Sequence, residues 1–160
     1  MSIRIAAAFA VAAAALAATN ASAQTATQTV SYEVSAVNEI AVSGSPSLVI
    51  SAATPGSGLT SATASGTYAI TTNETGRKIT ASLDSNMPSG VTLSVNMAAP
   101  SGATSAGAVN LSTTAMDVVT GVSTVNQSGL SISYGLSATV AAGVVQAGNR
   151  TVTYTITAGA

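Results

Sequence analysis

The sequence predicts an all-β protein, a single antiparallel β-sandwich of about eight or nine strands. Three observations carry that expectation. Beyond residue 24, apolar residues recur at every second position, the period of a half-buried strand. Groups of Gly, Pro, Asn and Ser interrupt the chain at short intervals, as turns do between the strands of a sandwich. No segment there places apolar residues at the 3.6-residue spacing of an amphipathic helix. A barrel or a solenoid is the alternative, but no fixed internal period runs through the chain, which argues against a solenoid. Composition does not break anywhere, so one domain is expected.

The elements follow in order. Met1-Ser2-Ile3-Arg4 is a short positive segment, Ile5 to Ala18 is apolar and Ala-rich, and Ala21-Ser22-Ala23 has the small-x-small pattern of a cleavage site. Residues 1–23 therefore read as a signal peptide for the general secretion route, with cleavage before Gln24. The apolar run is short for a membrane span, and polar Thr19 and Asn20 follow it. No span is expected once the leader is removed. Residues 24–37 then form an N-terminal strand or arm, and residues 38–160 the sandwich. In the arm, Val30, Tyr32, Val34 and Ala36 share one face.

Strands are expected at Gln28 to Val37, Glu39 to Val42 and Ser47 to Ser51, the last two separated by Ser43-Gly44-Ser45-Pro46. Thr67 to Thr72 and Lys78 to Leu83 flank Asn73-Glu74-Thr75-Gly76 as a hairpin. Val91, Leu93, Val95 and Met97 give the cleanest alternation. Val109 to Ser112, Met116 to Val122 and Leu130 to Leu136 precede the last strand, Arg150 to Thr157. The core is expected from Val, Ile, Leu and Ala with a few Tyr, because the one Phe, Phe9, lies in the leader and Trp is absent.

Composition excludes most function classes. Beyond the leader, Arg77, Lys78 and Arg150 stand against Glu33, Glu39, Glu74, Asp84 and Asp117, a net charge of −2. Such a chain cannot build the basic face that nucleic acid or an anionic membrane surface requires. It has no His and no Cys. Imidazole and thiolate chemistry are thus missing, together with the usual zinc and copper ligands and any disulfide. The five carboxylates are scattered singly, so spacing suggests no acid–base pair. Asp84-Ser85-Asn86 lacks the spaced carboxylates of a calcium loop and reads as a capped turn. No catalytic, cofactor or metal site is expected, and the protein is read as non-enzymatic. The Thr-x-Thr spacing of the last strand invites an ice-binding reading, which needs the same ranks on adjacent strands. Beyond the leader, four glycosylation-type sequons, at Asn73, Asn110, Asn126 and Asn149, arise readily in a Ser/Thr-rich chain.

The two ends of the exported chain are nearly the same strand. Thr29-Val30-Ser31-Tyr32-Glu33-Val34-Ser35-Ala36 matches Thr151-Val152-Thr153-Tyr154-Thr155-Ile156-Thr157-Ala158 at four of eight positions, and three more exchange Ser for Thr or Val for Ile. An arm with alternating anchors can add to a sheet edge, where main-chain hydrogen bonds give affinity and alternate side chains enter pockets. The ordinary alternative is a first strand pairing within its own subunit.

With its leader, polar arm, hydroxyl-rich strands and Tyr-bearing last strand, the chain resembles secreted bacterial fimbrial subunits of the chaperone–usher and spore-coat-U-like type. The resemblance implies an immunoglobulin-like sandwich polymerised by donor-strand complementation. Val30, Tyr32, Val34 and Ala36 would then be donor residues, and Val152, Tyr154 and Ile156 would line the acceptor groove. Many such subunits carry a disulfide, which this chain cannot form. The implied protein is a structural subunit of an extracellular filament or surface layer, exported through the periplasm to the cell surface. Self-association is the expected partnership, with an assembly chaperone or anchor as further partners. The other reading is a monomeric secreted or cell-surface module binding a glycan or adhesion ligand through Ala53 to Thr63 or Ser101 to Gly107.

Overall fold

The computed structural model describes residues 23–159, so the expected leader lies outside the described residues except for Ala23. The chain divides into two units, Met1–Glu33 and Val34–Ala160. In the first, residues 23–33 carry no strand and are exposed. The second holds nine strands among its described residues: β1 Asn38–Ser43, β2 Ala62–Thr72, β3 Arg77–Leu83, β4 Val91–Met97, β5 Thr104–Ser105, β6 Val109–Asn110, β7 Met116–Val122, β8 Val125–Ala138 and β9 Val152–Ala158.

The strands form two antiparallel sheets, ordered β1-β2-β8-β4-β6 and β5-β7-β3-β9. Their inward rows interdigitate. Tyr68, Ile70, Ile79, Ala81, Leu83, Leu93, Val95, Met97, Val118, Val119, Val122, Ile132 and Tyr134 are all buried. These are the alternate residues of β2, β3, β4 and β8, as the period-2 pattern requires, with β7 adding Val118, Val119 and Val122. Tyr154 of β9 is hydrogen-bonded to Tyr134 of β8, hydroxyl to hydroxyl at 2.9 Å, which ties the two layers together. The Tyr68 hydroxyl donates to the Ala98 carbonyl. Both phenols thus keep a partner where burial would otherwise cost them their hydration.

The strand order has a specific meaning. An immunoglobulin sandwich places strands A-B-E-D in one sheet and C-F-G in the other. Reading β1, β2, β3, β4, β8 and β9 as A, B, C, D, E and F reproduces A-B-E-D opposite C-F. Strands β5 to β7 are additions between D and E. Beside β9, the G position holds no strand among the described residues.

Two expected strands did not form. Gln28 to Val37 and Ser47 to Ser51 have the alternation but are not strands. Alternation gives a segment a face, whereas a strand also needs an edge to pair with. The 44–61 connection instead closes on itself through an isolated Ala53–Leu59 bridge. Ser101 to Gly107, read as a loop, contributes the short β5.

At Gly66 the backbone comes close to β1. A Cβ there would lie 2.8 Å from the Ser43 carbonyl oxygen, a backbone atom that cannot rotate away. Gly66→Ala should therefore destabilise the fold by about 1–3 kcal/mol, measured by denaturant unfolding, with β1 detaching first by hydrogen exchange. An unchanged midpoint would contradict this packing. Alkali provides a second check. Burial pushes the Tyr68 phenol up to about 12. It raises Tyr154 as well, helped by the hydrogen bond with Tyr134. A raised phenol favours the folded state only while the unfolded phenol keeps its proton. Stability should thus fall as pH climbs from about 10 towards 12, with phenolate absorbance appearing in step with unfolding.

Candidate site for strand addition

Strand β9 sits at a sheet edge. Its ladder with β3 runs from Arg77 opposite Ala158 to Leu83 opposite Val152. Its other edge pairs with no strand among the described residues. Val152, Tyr154 and Ile156 share the inward face, packed against the core yet only partly buried. Edge strand β1 of the facing sheet lies within contact of β9 across the layers, and its Ile40 is also half-buried against the core. The three predicted acceptor residues thus form a single partly buried apolar row on the edge strand β9.

The predicted donor residues are all exposed. Val30, Tyr32 and Val34 are 73%, 93% and 85% exposed, and Ala36 is exposed too. These apolar side chains alternate with polar ones along an exposed segment that is not a strand.

The base of the arm is held by residues the sequence reading treated only as a hairpin tip. The Asn73 side-chain amide donates to the Ser35 carbonyl at 2.8 Å, and its oxygen accepts the Val37 N–H at 2.8 Å. The Asn73 backbone N–H donates to the Val37 carbonyl at 3.3 Å. Next to it, the Asn38 side-chain amide donates to Glu74, which also pairs with Arg77. The Thr72 hydroxyl bonds Asn38 Oδ1 at 2.8 Å. The Glu74–Arg77 pair, three residues apart, is readable from spacing. The link to residues 35–38 is not, because it joins positions more than thirty apart through side chains, and pattern reading has no signal for that.

Beside this hairpin, a shallow pocket of about 200 Å³ is lined by Gly76, Arg77, Lys78, Asp117, Thr120, Gly121 and Gly159. Lys78 is paired with Asp117 at 3.1 Å and Arg77 with Glu74, so both cations there are already engaged. Among the described residues no three His, Cys, Asp or Glu side chains cluster as a metal site would need. No helix among them is long and apolar enough to cross a membrane. No family model, curated protein or solved structure matches the chain.

Glu74 reports on the arm's anchor. The Asn38 amide first, then Arg77, hold its carboxyl below the usual carboxylate range. A lowered folded value means the contribution is complete above the unfolded value and disappears as pH falls through the folded one. An acid titration followed by NMR should show the Asn38 side-chain amide shifting with Glu74 at an inflection below the ordinary 4.5. An inflection at or above that value would contradict the contact.

Proposed function

We propose that the protein is a non-enzymatic structural subunit that assembles into an extracellular filament or surface layer by β-strand complementation. The G position beside β9, where the described residues place no strand, carries this reading. A strand placed there would satisfy the β9 edge and cover Val152, Tyr154 and Ile156. The arm offers Val30, Tyr32 and Val34 at the same period of two. Two apolar rows of three meet with Tyr32 opposite Tyr154.

Direction decides what assembles. Strand β1 begins at the end of the sandwich where Asn38 faces Thr72, and β9 finishes at the same end, where Ala158 faces Arg77. An arm entering a neighbour antiparallel to β9 sets Val34 opposite Val152 and Val30 opposite Ile156. That contact joins the arm-bearing end of one subunit to the opposite end of the next. Being head-to-tail, it continues into a filament. Parallel entry brings two arm-bearing ends together, and the reciprocal exchange closes as a dimer. The antiparallel arrangement fits the proposed role.

Burying three anchors is worth about 1.5–3 kcal/mol each, and ordering the arm takes back roughly 2–5 kcal/mol. The net is on the order of a few kcal/mol, so an isolated arm peptide should bind in the millimolar to micromolar range. The test uses the chain from Gln24 onward. Negative-stain microscopy should show filaments that disappear when residues 24–34 are deleted, and an arm peptide should bind the deleted protein. Val34→Cys combined with Val152→Cys should give a ladder of disulfide-linked oligomers, whereas Val30→Cys with Val152→Cys should not. A monomer at every concentration, its arm docked on its own β9, would sink the proposal.

A further inference from the structure

We infer that Asn73 is a positioning residue that directs the arm to a neighbouring subunit by preventing the turn that self-insertion needs. The inference rests on the strand-addition reading and asks why the arm would not fill the groove of its own chain.

Self-insertion is constrained by the topology. The arm leads directly into β1, which starts at the end of the sandwich where β9 stops. An arm lying antiparallel to its own β9 would finish at the far end of the sandwich, and residues 35–37 reach only about 10 Å. That is much shorter than a seven-residue strand. A self-inserted arm must therefore run parallel to β9 and reverse within residues 35–37 to enter β1 in the other sheet.

Asn73 occupies those residues. Its side chain binds the Ser35 carbonyl and the Val37 N–H, each at 2.8 Å, and its backbone N–H binds the Val37 carbonyl. Groups two residues apart facing one partner have the spacing of an extended strand. Val37 has no positive φ, and neither do Ser35 and Ala36. One asparagine thus extends the β1–β2 ladder backwards by three residues and holds the chain straight where self-insertion would bend it. Thr72 and Glu74 fix Asn38 on the same hairpin, which keeps the Asn73 amide aimed at the incoming strand. The donor segment consequently ends at Val34, and Ala36 stays with its own subunit.

Asn73→Ala in the chain from Gln24 onward tests the assignment. Loss of both side-chain hydrogen bonds should move the ratio of polymer to monomer down by about tenfold or more. The monomer that accumulates should protect residues 24–34 from protease, as a self-inserted arm would. Arm peptide should bind arm-deleted Asn73→Ala as tightly as arm-deleted wild type, showing an intact acceptor. Asn73→Asp keeps the acceptor for Val37 and loses the donor to Ser35, so it should lie between the two. Polymerisation at the wild-type level would overturn the inference, as would monomers whose arms remain protease-sensitive. If wild type forms no polymer and arm peptide does not bind the arm-deleted body, the strand-addition reading itself fails, and the inference falls with it.

Discussion

The edge of β9 that pairs with no strand among the described residues is the constraint around which the two sheets are arranged. A sheet edge presents main-chain donors and acceptors in a row, and proteins usually blunt it with charge, proline, a bulge or extreme shortness. The other edges here follow that rule. Strands β5 and β6 have two residues each, and β1 carries Glu39. Strand β9 does not. It is seven residues of Val, Thr, Tyr, Ile and Ala, with neither charge nor proline. An uncharged edge above a half-buried apolar row is what an additional strand would complete.

Stability and openness come from the same composition. Without disulfides, Phe or Trp in the sandwich, the fold depends on ladder hydrogen bonds and close packing of Val, Ile and Leu. The Tyr154–Tyr134 bond is central because it joins the open edge strand to an interior strand of the facing sheet. It holds Tyr154 in place while the side chain remains only partly buried.

Much of this was legible in the sequence, and what was missed has a common cause. The period of two placed β3, β4, β7 and β9 near their observed bounds and found the C-terminal half of β2, because a strand with one face in the core must alternate. The same rule over-read Gln28 to Val37 and Ser47 to Ser51, since pairing depends on whether an edge is within reach and not on pattern. The row Val152, Tyr154, Ile156 was readable from alternation alone. That β9 lies at an edge was not, because strand order follows from how all nine strands close together. The Asn73 contacts were invisible for a related reason: a side chain imitating a strand leaves no periodic trace.

The proposed strand addition would give the likeness between the two ends a structural basis. Val152, Tyr154 and Ile156 are shaped by the layer they cover: a central phenol with a polar partner in Tyr134, flanked by smaller aliphatics. A strand added beside β9 would meet the same layer one strand spacing further out, about 4.8 Å away, and would face the same demand. Val30, Tyr32 and Val34 meet it with the same residue types in the same order. Composition alone makes Thr/Val strands alike, but it does not require the tyrosine to be central in both. Nor does it require that one copy cover a core while the other is among the most exposed apolar side chains of the described residues. Under the proposed strand addition, a common binding layer would account for both facts, with the β9 row and the exposed arm as two halves of one contact.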